Sequence, residues 1–273
     1  MISKFQQHKP GYAGAFIFAL IVFAALFAPW LSSYQPDAQL SPSLNRFLSP
    51  SGQHWFGTDQ FGRDIFTRVL YGGRISLSIG MGVVIPATLI GAILGVIAGY
   101  FGGWFDRFIM GIVDLFLAFP ILFLTITCMA LFGVGLFWLI AVLVLTGWMD
   151  ITRLVRAEIH SLKQRAFILK AHASGLSPGK IMFRHLLPNV LAMLFAFVIL
   201  RTADIILIES ALSFLGFGVQ PPTASWGAII NDGQNVLSTA WWITLFPGIA
   251  IALTTVSLNF IGDGLKKRYE FTA

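Results

Sequence analysis

Six apolar runs, at about 12–32, 75–100, 106–131, 135–152, 188–214 and 241–262, alternate with polar stretches along this chain. Crossing the ~30 Å hydrocarbon core takes roughly 20 residues of helix, so the pattern predicts six transmembrane helices and an all-α integral membrane protein. The first run is longer than the ~7–15-residue apolar core of a secretory signal, and no clear small-residue cleavage site follows it. It is therefore expected to stay as an N-terminal anchor helix.

The polar stretches are unequal. The longest interruption after the second run is RLVRAEIHSLKQRAFILKAHASGLSPGKIMFRHLLPN, residues 153–189, with seven Lys/Arg. Within it, Ile159, Leu162, Ala166, Leu169 and Ala173 recur every three or four residues, which predicts one amphipathic helix over 159–173 with Lys163, Arg165 and Lys170 off its apolar face. Gly175 suits the left-handed end of that helix, and Ser177-Pro178 suits the start of a second short one. A basic helix of this kind fits two roles, resting on anionic lipid or docking in the groove of a partner protein. Composition alone does not separate them.

Two other polar segments, 33–74 and 214–240, carry the Gly and Pro punctuation of ordered turns. In the first, Gly57, Thr58, Asp59, Gly62, Arg63 and Asp64 form a compact motif. Asp59, Arg63 and Asp64 are expected to make a local charge-assisted network, with the glycines permitting tight turns. In the second, Trp226 is expected at a membrane interface.

Composition agrees with a membrane protein. Of 273 residues 56% are hydrophobic and only 11% charged, with mean hydropathy +0.79, too few charges to cover a soluble domain. The net charge of +6 tracks the loops, which argues for topology and against nucleic-acid binding. Placing Lys4, Lys9, Arg107, the seven basic residues of 153–189 and Lys266 to Arg268 on one side gives 13 there, against Arg46, Arg63, Arg68 and Arg74 on the other. The richer side, with both termini, is expected to be cytoplasmic.

Chemistry is sparse. Cys128 is the sole cysteine, and His8, His54, His160, His172 and His185 are scattered, so no metal site is expected. No phosphate-binding G-x-x-x-x-G-K-[ST] is present; Gly175 to Lys180 has the wrong spacing and continues with Ile181. Neither ATP hydrolysis nor any catalytic residue is assigned to this chain. Charges inside the spans each call for a partner. Arg201 and Asp204, one turn apart, are expected to neutralise each other, and Asp150 to pair with Arg153 or a nearby lysine. Asp114, Arg201, Asp204 and Glu209 are open between structural and pathway roles, with Glu209 either facing the pathway or pairing with the outward loops, and the three acids are alternatively proton relays of a secondary transporter. Gly91, Gly95 and Gly99 form a stripe for close helix packing. Pro86, Pro120 and Pro247 each remove a helical hydrogen bond, giving either kinks or local packing irregularities.

Four motifs in register resemble one family. GTDQFGRDIFTRVLYGGRISL after the first span, AFP in the third, the insert ending in LLPN, and ALSFLGFGVQPPTASWG are similar to the C-type permease subunit of dipeptide, oligopeptide and nickel ABC importers. The family's cytoplasmic insert reads E-A-A, three residues, G, nine residues, I-x-L-P. This chain matches the spacing with Leu169-Lys170-Ala171, Gly175 and His185-Leu186-Leu187-Pro188, and departs from it at Leu169, Lys170 and His185. The resemblance implies a permease (MetI-like) core of five helices over 75–273, with coupling helices at about 159–186, plus the anchor and extracytoplasmic segment of 1–74. It implies an inner-membrane subunit of a bacterial importer, a second permease as heterodimer partner, two P-loop ATPases that bind ATP and Mg2+, and an extracytoplasmic binding protein. Dipeptides or oligopeptides are the first implied substrate, nickel or a metal chelate the second.

Overall fold

The computed structural model describes residues 9–39 and 42–270, and every regular element among them is a helix. Lys4, used above to orient the chain, lies outside the described residues. In order, the helices are α1 (Lys9–Leu26), α2 (Ala28–Leu31), α3 (Pro42–Asn45), α4 (Ile65–Phe101), α5 (Gly103–Leu117), α6 (Ile121–Phe132), α7 (Leu136–Lys163), α8 (Ala166–Ala173) and α9 (Pro178–Ile181). A π-helical turn, Met182–Leu186, leads into α10 (Leu187–Phe214), then α11 (Trp226–Gly233), a 3-10 turn at Gln234–Val236, and α12 (Trp242–Glu270).

The six expected spans take three forms. The helices α4, α7 and α12 are each long and apolar enough to cross a membrane unbroken. Two spans are bent pairs: α5 with α6, turned through 87°, and Pro178–Leu191 with Met193–Phe214, turned through 42°. The sixth, α1, is shorter; 18 residues at 1.5 Å rise give about 27 Å. The 87° bend falls at Ala118–Pro120, where proline lacks the N–H and disfavours helix in the residue before it. Pro86 and Pro247 are accommodated inside the continuous α4 and α12.

Helix α4 begins ten residues before the apolar run that announced it, so a division of the chain at 74 would cut through it. Asp64 caps its first turn, accepting from the Thr67 backbone N–H at 2.8 Å. The glycine stripe sets how α4 packs: a Cβ on Gly91, Gly95 or Gly99 would lie 2.6, 2.7 or 3.0 Å from the carbonyls of Trp148, Thr152 and Arg156 on α7. The two backbones touch because no side chain stands between them. The anchor α1 docks on α12 in the same way, with Gly14 against the Ser257 carbonyl, and Arg74 donates to the Leu26 carbonyl at 2.8 Å.

Three apolar clusters hold the bundle. One joins Ile65, Ile206, Trp226, Trp242 and Ile243; a second joins Val96, Val155, Ile159, Ile168, Ile181 and Leu186; a third lies between α4, α6, α7 and α10 around Val83, Met129 and Leu143. Trp226, expected at an interface, is instead buried in the first, its indole donating to the Val69 carbonyl at 2.9 Å.

Candidate functional site

The basic insert folds as a helix, a turn and a second short helix, but not in the phase that its periodicity predicts. The run over 159–173 is interrupted at Gln164–Arg165, so Ile159 and Leu162 end α7 while α8 starts afresh at Ala166. The break rotates the apolar side. Ile168 and Ala171 are buried, whereas Ala166, Leu169 and Ala173 are exposed. Ile168, Ala171, Ile181 and Leu186 anchor the insert on Ile159, Leu162 and Val190, and Lys163 Nζ ties the turn to α4 through the Tyr100 carbonyl at 2.9 Å.

Gly175 stands where the chain needs a left-handed residue, at φ +71°. Its N–H donates to the His172 carbonyl at 3.0 Å, and the Leu176 N–H reaches back to the Ala171 carbonyl at 3.3 Å. That paired closure satisfies two carbonyls at the end of α8, and Leu176 packs onto the cluster that contains Ala171. Pro178 then opens α9 at a position whose N–H needs no helical partner. His185 is half-buried, with its ring 6.5 Å from that of Phe167; Leu187 and Pro188 begin α10. The departures from the family pattern at Leu169 and Lys170 lie on the exposed side, while Ala171 and Gly175, which keep to it, hold the shape. Phe167, Leu169 and Phe183 stand exposed beside Lys170, Lys180 and Arg184. Sequence spacing pointed to Leu169 alone of these three apolar groups, because the other two fall outside the predicted phase.

At the other end of α4, about 55 Å away by helix rise, the motif around Gly57 folds as a locked cap. Gly57 and Gly62 take φ +74° and +72°. Asp59 accepts from the Phe61 and Arg63 backbone N–H groups at 2.8 and 3.0 Å and from Arg63 Nε at 2.5 Å. Thr58 donates to the Asn45 carbonyl, and its own carbonyl accepts from the Trp242 indole at 3.1 Å. Asp64 does not join Arg63 as expected. It turns to His54 Nδ1 at 2.9 Å and to the Thr67 hydroxyl at 2.6 Å. Arg63 and the buried Arg68 both reach Asp232 of α11, at 3.0 and 3.2 Å. Burial pushes the Asp232 carboxyl up, against the pull of Arg68 and Arg63. Asp232 was not legible in advance, since more than 160 residues separate it from either arginine.

Residues 91–271, which include the anchored insert, match the family described as binding-protein-dependent transport system inner membrane component, and residues 1–50 match the N-terminal transmembrane domain of oligopeptide transport permease C. The dipeptide transport system permease protein DppC of Alkalihalophilus pseudofirmus is 41% identical over 263 residues, 96% of this chain and 86% of that one. The oligopeptide transport system permease protein OppC of Bacillus subtilis is 37% identical over 263 residues, again 96% and 86%, and a putative peptide transport system permease protein of Brucella abortus is 40% identical over 96% and 88%. This chain belongs to the binding-protein-dependent permease family. It is a multi-pass inner-membrane transport subunit that works with ABC partners.

In this permease the expected Arg201–Asp204 pair forms, while the other charges within the spans find partners that the sequence did not indicate. Asp114 receives Arg153 Nη2 at 2.6 Å, so Arg153 is not the partner of Asp150. Asp150 lies 3.1 Å from Arg201 Nη2, and Arg201 also meets Asp204 at 3.5 Å. Arg156 pairs with Asp106, through Nε to one oxygen and through Nη2 to the other at 2.6 Å. Glu209 is fully buried and meets no cation among the described residues. Ser76 and Ser213 donate to its two oxygens at 3.1 and 2.8 Å, and these hydroxyls accept in turn from the Trp226 and Val219 backbone N–H groups. The carboxylate thereby ties α10 to α4 and to the start of α11, a structural position away from any exposed surface.

Proposed function

We propose that this chain forms one half of the translocation pathway of an ATP-driven importer of dipeptides or oligopeptides. The observation that carries the reading is the insert: two short helices on a Gly175 turn, fixed to the spans by four buried aliphatic groups, with Phe167, Leu169 and Phe183 turned outward among basic residues. Exposed apolar groups interspersed with cations on a rigidly mounted insert suit a groove in an acidic-rimmed partner. Permease relatives named for dipeptide and oligopeptide transport supply the substrate class.

The partners are a second permease, two P-loop ATPases and an extracytoplasmic binding protein. ATP and Mg2+ belong to the ATPases, and this chain contributes no catalytic group. The termini and the insert face the cytoplasm, and the cap faces outward. In the working cycle, ATP closes the ATPase pair, the insert moves with the ATPase that holds it, and its buried anchors carry the displacement into α4, α7 and α10. Nucleotide shifts the permease only because the inward- and outward-facing states bind it with different affinity.

Detergent purification of the tagged chain from its native membrane tests the reading. A second permease and ATPases should co-purify, with hydrolysis stimulated by peptide-loaded binding protein. A lone chain that transports under a proton gradient without nucleotide would replace it with a secondary transporter.

A further inference from the structure

Five charged groups of the spans form a ladder across three helices. It runs from Asp114 on α5 to Arg153 on α7, one helical turn along α7 to Asp150, across to Arg201 on α10, and one turn along α10 to Asp204. Side chains three apart share a helix face, so the ladder occupies one side of the α5, α7 and α10 surface. Asp150, Arg201 and Asp204 fall within the apolar spans, and the Arg153–Asp114 pair lies toward their cytoplasmic end. Asp150 is about 21 Å along the axis from Leu136 and Arg201 about 20 Å from Phe214, at nearly the same level within a ~30 Å core.

The ladder is also open. Asp114, Arg153, Asp150 and Asp204 keep 62%, 53%, 41% and 52% of their side-chain surface exposed. Aspartate is too short to reach an interface from that depth, and a charge facing lipid there costs several kcal/mol. Arg201 lines an apolar crevice together with Val83, Val84, Ala87, Gly147, Ile151 and Ile205, and its guanidinium meets Asp150 and Asp204. Three acids and two guanidiniums leave the ladder one negative charge in excess.

We infer that this ladder lines the aqueous pathway and offers stations of alternating sign to the charged ends of a zwitterionic peptide, with Asp150 and Asp204 receiving the ammonium group and Arg153 the carboxylate. The inference rests on the importer reading and adds to it the surface along which cargo passes. Alternating stations hold a zwitterion weakly at several points, which permits both entry and release.

The test uses the assembled complex with Cys128→Ala and Leu207→Cys. Leu207 is exposed one turn from Asp204 and belongs to none of the charged groups. Cationic and anionic water-soluble methanethiosulfonates are applied with and without vanadate-trapped nucleotide, and rates are normalised to a free thiol. The expected result is modification in at least one state, with a cationic preference of about 5- to 10-fold that disappears in Asp150→Asn/Asp204→Asn. Modification without charge preference would overturn the stations, and no modification in either state would overturn the pathway assignment. Peptide uptake driven by ATP is measured on the same preparation. A wrong importer reading shows as absent uptake, whereas a wrong ladder shows as an unmodified variant that still imports peptide.

Discussion

The two ends of α4 solve opposite problems. At Ile65 the cap buries Asp59, Asp64, Arg63, Arg68 and His54 in a mesh of short bonds that spans 45 to 242. At Phe101 the insert has most of its polar groups in solvent and is held by four aliphatic side chains, one left-handed glycine and the Lys163 bond to the Tyr100 carbonyl. Buried ion pairs tolerate little displacement, because separating them leaves an unsolvated charge. Apolar anchors on a rigid helix can move as a body and still stay buried. The contrast implies a fixed frame at the cap and a lever at the insert.

Breaking the frame should have the largest effect. Asp59→Ala removes the acceptor of Arg63 Nε and of two backbone N–H groups and leaves Arg63 and Arg68 to share Asp232, at a cost of about 3–5 kcal/mol. Membrane levels of the chain should collapse, and any complex recovered should melt well below the parent. Unchanged melting would mean that the cap is not the frame.

The lever is next. A Cβ on Gly175 meets nothing within 4 Å, so Gly175→Val acts through its φ of +71° alone, at about 1–3 kcal/mol. The complex should assemble while peptide imported per ATP falls severalfold. Gly57→Val makes the control: there a Cβ also meets the Leu48 carbonyl and the Trp242 indole at 2.6 Å, so assembly itself should fail.

The smallest effect is expected at Lys170, which is exposed. Lys170→Glu should leave stability within about 0.5 kcal/mol of the parent and reduce stimulated ATP hydrolysis in a salt-dependent way. Unchanged stimulation would make Lys170 a solvated group outside the docking face.

Much of the site was legible before the fold was known. Gly175 and Ser177-Pro178 announced their turn because only certain residues fit those backbone positions, and the four-residue glycine spacing announced a close helix contact. The helix over 159–173 was misread because periodicity is measured from a continuous axis; a two-residue break resets the phase, and Ile168 replaces Leu169 on the buried side. Residues 65–74 looked like loop because Thr67, Arg68, Gly72, Gly73 and Arg74 interrupt their apolar positions, and the partners that bury Arg68 lie outside the segment.

The sequence by itself determined the spans, the place of the insert and the family, since each is written in local composition, spacing or motif order. Tertiary structure alone decided which charge meets which. Asp114 with Arg153, Asp150 with Arg201, and Arg68 with Asp232 are pairs between separate elements. Coulomb attraction has no preferred sequence separation, so the partner is whichever opposite charge the packing of α4, α5, α7, α10 and α11 brings within reach.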